Sequence, residues 1–183
     1  MNYLNTGALL LAAYLAVFLA ACRTPFSDFL GVQTDLLPAL MVYCGLSSDW
    51  ATLTIVALAG GLWFDALSSN PLGVTVVPLF LVAFIVKLNR GFILREQRYA
   101  QFVLGAIASA SAPAVTGVVL LGLGKNPLIG WGSIWQWFVM AVIGGSLTPV
   151  LFWAFGRFTS AFNYQPMSET SFRPDREIKR GRV

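Results

Sequence analysis

Histidine is missing from all 183 residues, and with it the side chain most often used near neutral pH as a general base, a proton relay or a metal ligand. Cysteine occurs only twice, as Cys22 and Cys44, and no CxxC pair exists, so neither a thiolate metal site nor a dithiol redox site is indicated. The two thiols lie toward opposite ends of the first and second hydrophobic runs, too far apart for a disulfide. Charge is also scarce. Asp, Glu, Lys and Arg make up 11% of the chain against 57% apolar residues, and the mean hydropathy is +0.72. Soluble domains carry about 25% charged residues, so the composition excludes that class and points to lipid. An embedded hydrolase would have only aspartates to work with. The expectation is a non-enzymatic protein that needs no metal and no cofactor.

What the chain does have is apolar length. A bilayer core about 30 Å thick takes about 20 apolar residues per helix. Six runs are legible, at about 4–22, 33–48, 50–67, 72–88, 102–124 and 131–156. They predict an all-α integral membrane protein, a bundle of six transmembrane helices within residues 1–156, with no room for a second folded unit. Residues 157–183 read as a basic tail, disordered when alone.

Small residues recur at helical spacing. Ala8, Ala12, Ala16 and Ala20 form a ladder along the first run, and such ladders let helices approach closely in lipid. Two uses stay open for it: packing inside its own bundle, or docking a partner helix. Gly105 and Ser109 in the fifth run, near Pro113, and Gly144 and Gly145 in the sixth, near Pro149, mark further close packing. Leu19-Ala20-Ala21-Cys22 looks like a lipoprotein cleavage box, but residues 1–7 lack the Lys or Arg of a signal peptide, so lipidation of Cys22 is not expected.

Two aspartates stand out. Asp35 suits a helix N-cap, with Pro38 in the first turn that follows. Asp65 closes the third run, just before the Ser68-Ser69-Asn70-Pro71-Leu72-Gly73 turn. Ser47-Ser48-Asp49 folds the second run back on the third. At 1.5 Å per residue both acids lie roughly 20–24 Å from that turn and therefore at one level. An ionised Asp near hydrocarbon costs about 2.5–3.5 kcal/mol on insertion scales, so such groups face a bundle interior or a wet cavity. The pair could form a proton or cation site, hold a substrate's amine, or receive a basic or hydrogen-bonding group from another transmembrane helix. Most bundle-lining positions are small or apolar, which favours an interaction module over a pump.

Orientation follows from the cations. The basic loop from Lys87 to Arg98, with Arg90 and Arg95, shares a side with the six basic residues at and after Arg157, leaving only Arg23 and Lys125 opposite. The positive-inside rule puts the first group and both termini in the cytoplasm and the aspartates toward the outer leaflet. The tail is a topology anchor or a contact for anionic lipid or a cytoplasmic partner. It lacks the aromatic interleaving of a nucleic-acid binder.

Two stretches carry a family resemblance. Thr34-Asp35-Leu36-Leu37-Pro38-Ala39-Leu40-Met41-Val42-Tyr43-Cys44-Gly45 resembles the "PDLLLLLLVYLG" pattern of the rod shape-determining protein MreD family, with Thr34 where proline is usual. Gly60-Gly61-Leu62-Trp63-Phe64-Asp65-Ala66-Leu67, followed by Pro71-Leu72-Gly73, is similar to that family's "GLLLDLLSGxPLG" segment. The match covers residues 31–98; beyond it only hydropathy agrees, and the tail is longer than in many relatives. The resemblance implies a scaffold of the bacterial cell-elongation (rod) complex, multi-pass in the cytoplasmic membrane. It would bind an MreC-like bitopic protein and, through it, MreB, RodA and a class B penicillin-binding protein, supporting cell shape and lateral peptidoglycan synthesis. It also implies a fold similar to the substrate-binding components of energy-coupling-factor transporters. A vitamin-binding component of that kind is the alternative, and a ligand cavity would mark it.

Overall fold

A chain this apolar must satisfy its backbone N–H and C=O groups internally, and helices do so within each segment. The computed structural model describes residues 3–22, 35–68, 71–91, 97–125 and 130–162. Six α-helices form there: α1 (Tyr3–Ala21), α2 (Leu37–Ser47), α3 (Trp50–Leu67), α4 (Val76–Leu88), α5 (Arg98–Gly122) and α6 (Trp131–Phe162). Trp50–Leu67, Arg98–Gly122 and Trp131–Phe158 are long and apolar enough to cross a membrane; the apolar stretches Asn5–Ala21, Leu37–Ser47 and Val76–Leu88 are shorter.

Side-chain partners give the helix directions. Thr6 and Thr52 share a hydrogen bond of 2.9 Å, and Tyr14 meets Trp63 edge-on at 5.6 Å, so α1 and α3 run parallel. Tyr43 packs against Phe152 and Phe155, and Asp35, before α2, shares a cavity lining with Trp137 and Met140, so α2 and α6 run parallel. Gly105 faces Thr148 while Ser109 faces Gly144, so α5 and α6 are antiparallel. Consecutive helices therefore alternate in direction throughout.

The centre of the bundle is α2. Every residue from Leu37 to Leu46 is buried, and α2 touches all five other helices. A short helix that is apolar all round is a core helix, and its 11 residues reach only about 16 Å. Outside α2, alanines share the interior with larger residues such as Leu9, Leu53 and Leu79. Ala13, Ala57, Ala83 and Ala108 point inward, while Leu11, Phe18, Ile107, Trp131, Phe138 and Trp153 point out. So much exposed apolar surface is compatible with a protein that sits in a membrane.

Several boundaries differ from the sequence expectation. The second helix starts at Leu37 rather than 33. Residues 72–75 form a turn, so the fourth starts at Val76; the fifth begins one turn early, at Arg98. Helix α6 runs through position 157 to Phe162, and Arg157 lies over the Trp153 ring at 5.0 Å instead of opening a tail. Residues 163–183, the remainder of the expected tail, lie outside the described residues.

Lys87 is the clearest correction. It is not part of a basic loop but is 6% exposed in the last turn of α4, where it donates to the Ser48 carbonyl and lies 5.8 Å from the Trp50 ring centre. It ties the α2–α3 turn to α4. Lys87→Met should leave that carbonyl without its charged donor and lower stability by about 1.5–3 kcal/mol. Arg90→Met, at an exposed position, should change little; thermal unfolding of the two purified variants in detergent checks the contrast.

Candidate functional site

The site lies at the end of the bundle where α3 finishes and α2 and α4 begin. Helix α3 closes with the Ser68 N–H reaching the carbonyls of Phe64 and Asp65. The chain then turns through Gly73, whose φ of +93° lies in the left-handed region that costs an L-residue about 1–2 kcal/mol. Pro71, half-buried, accepts from the Val74 N–H at 3.3 Å. Asp65 holds this turn together. One carboxylate oxygen accepts the N–H groups of Gly73 at 2.8 Å and Thr75 at 3.1 Å, and the other accepts the Thr75 hydroxyl. Only 2% exposed, Asp65 thus fixes the approach to α4, whose positive N-terminal end also favours an anion nearby.

Asp35 works differently. One of its oxygens accepts the N–H of Leu37, the first residue of α2, at 2.9 Å. The carboxylate is half-buried and within electrostatic reach of Asp65. The two acids therefore share one end of the α2–α3 hairpin. Asp65 is saturated by its own turn, whereas the second oxygen of Asp35 has no hydrogen-bond donor among the described residues.

Beside Asp35 opens a cavity of about 470 Å³. The chain at the starts of α2 and α4 contributes Asp35, Thr75, Pro78 and Leu79, while α5 and α6 supply the walls from Ala112 to Leu121 and from Ser133 to Met140. Phe64, Pro78, Leu79, Trp137 and Met140 supply apolar walls, and Asp35, Thr75, Thr116, Ser133 and Gln136 supply polar groups. No Lys or Arg is among the described lining residues. Sequence reasoning missed this cavity, because its walls come from helices far apart in the chain. Gln136, a lone amide in an apolar run, was the available signal.

The other candidates fall elsewhere. On α1, Ala16 is buried while Ala8, Ala12 and Ala20 are half-buried, with Ala8 and Ala12 packed on the core. Leu9, Ala13 and Val17, at the same four-residue spacing, are the deeper face. Gly105, Ser109, Gly144 and Gly145 meet at the α5–α6 crossing, with the fully buried Thr148 as the neighbour that sequence reasoning did not single out. Arg90 and Arg98 are exposed, and Arg95 lies outside the described residues.

Among the described residues the geometry defines an all-helical protein with three helices long and apolar enough to cross a membrane and a carboxylate-bearing cavity at one end of the bundle. The chain matches no protein-family model, no curated protein and no solved structure.

Proposed function

We propose that this protein is a non-enzymatic membrane scaffold of the bacterial rod complex, similar to MreD, that binds the transmembrane segment of an MreC-like partner. The alternating helix directions support six crossings of the cytoplasmic membrane, with the Asp65 end toward the outer leaflet and both termini inside. The observation that carries the reading is the saturation of Asp65. Both of its oxygens are occupied by the turn into α4, so it stiffens a platform instead of exchanging protons or seating a substrate. MreB, RodA and a class B penicillin-binding protein would be reached through the partner.

Depletion in the source bacterium should abolish rod shape and lateral wall growth, and the tagged protein should co-purify with the MreC-like partner. Gly73→Leu should weaken that association, because it strains the left-handed turn of the platform. Normal rods after depletion, or equal recovery of partner by wild type and variant at matched levels, would overturn the proposal.

The cavity favours a second reading: a substrate-binding component of a micronutrient transporter, with Asp35 and Gln136 at its mouth. A nutrient requirement after depletion, with cell shape intact, would select it.

A further inference from the structure

Charge accounting at the cavity decides what it can take. The starts of α2 and α4 each present about half a positive charge, whereas Asp35 and Asp65 each bring up to a full negative one. With no cationic side chain among the described lining residues, the balance is negative, so an anionic ligand is disfavoured. A neutral ligand would leave the second Asp35 oxygen without a charged partner. A bare metal ion fits no better, because the described residues contain no group of three or more Cys, Asp or Glu able to hold one. Most of the wall is apolar: Phe64, Pro78, Leu79, Trp137 and Met140 would surround a hydrocarbon or aromatic body.

We infer that the cavity between the start of α4 and helices α5 and α6 binds an organic ammonium ion, its cationic head on Asp35 and its apolar body against Leu79, Trp137 and Met140. Gln136, on the α6 wall, offers an acceptor for one of the remaining ammonium hydrogens. The volume of about 470 Å³ suits a compact ring-bearing amine. The site does not depend on the scaffold reading, since it requires no partner protein. The ammonium could belong to a soluble amine or to the head group of an aminolipid.

The test uses the full chain in phosphatidylglycerol nanodiscs, titrated calorimetrically with tryptamine, its neutral analogue tryptophol and the anion indole-3-propionate. Tryptamine should bind about tenfold or more tightly than either analogue, the preference expected of a charge-assisted hydrogen bond. Asp35→Asn keeps an acceptor for the Leu37 N–H and should erase most of that preference. Gly117→Phe adds bulk at a lining position where a new Cβ meets nothing within 4 Å, and should weaken tryptamine binding without an initial backbone clash. Adding phosphatidylethanolamine separates the sources: lost tryptamine binding assigns the site to an aminolipid, and unchanged binding assigns it to a soluble amine. Absence of tryptamine binding, equal binding of indole-3-propionate, or a preference that survives Asp35→Asn would overturn the inference. None of these readouts involves cell shape or partner recovery, so the scaffold proposal stands or falls separately.

Discussion

Asp65→Leu should lower the unfolding free energy by about 3–5 kcal/mol, because each donor left unpaired and buried costs about 1–3 kcal/mol. Three donors depend on this carboxylate: the Gly73 N–H, the Thr75 N–H and the Thr75 hydroxyl. Leucine can accept none of them. Asp65→Asn should cost only about 1–2 kcal/mol, since its amide oxygen still accepts the two N–H groups while the charge assistance is lost. The Thr75 hydroxyl would then have to accept from the new NH₂ instead of donating. Thermal or denaturant unfolding of purified protein in detergent reads both variants. Equal losses for Leu and Asn would mean that the hydrogen bonds of Asp65 are not what holds the turn.

Gly105→Leu should be as damaging, for a steric reason. A Cβ at Gly105 would sit 2.7 Å from the Gly144 carbonyl oxygen and would overlap the Thr148 hydroxyl. The hydroxyl is itself held inward, donating to the Gly144 carbonyl at 2.8 Å. Helices α5 and α6 make the most extensive helix pair in the bundle, so pushing them apart opens its largest interface. Overpacking usually costs about 1–3 kcal/mol, and here Leu should reach the upper end or prevent folding. Gly105→Ala should be milder but still destabilising. Adding Thr148→Ala should recover only part of the loss, because the Gly144 carbonyl and the Thr148 Cβ remain in the way. Gly117→Ala and Gly122→Ala on the same helix are the controls. An added Cβ there meets nothing within 4 Å, so helix propensity should leave them neutral or up to about 1 kcal/mol more stable. Recovery of monodisperse protein after heating compares all five; a Gly105→Ala variant as stable as Gly117→Ala would contradict the close crossing.

Part of the Asp site was readable because it is local. Pro38 falls in the first turn of α2 as the pattern implies, but the N-cap is Leu36; Asp35, expected at that position, stands one residue earlier and accepts the Leu37 N–H. The positive φ of Gly73 follows from the turn residues around it. Other features depend on what stands across the bundle. Lys87 reads as a loop cation because lysine usually ends a membrane helix, yet the Ser48 carbonyl takes it inward. The α1 alanines read as the contact face, yet Leu9, Ala13 and Val17, one residue round the helix, lie deeper. The expected start of the second run failed for a similar reason: an apolar string does not fix where its helix begins, and α2 forms over 11 residues only.

The sequence alone determined the apolar helices, the place where α2 folds back on α3, and the presence of two acids at one end of that hairpin. These depend on hydropathy, turn chemistry and a fixed rise per residue, all properties of neighbours along the chain. Only the tertiary structure decided that both oxygens of Asp65 are engaged while the second oxygen of Asp35 meets no donor among the described residues, that Lys87 is interior, and that a cavity lies beside the starts of α2 and α4. Burial and hydrogen bonding across helices are set by groups remote in sequence, and no local pattern encodes which of them will meet.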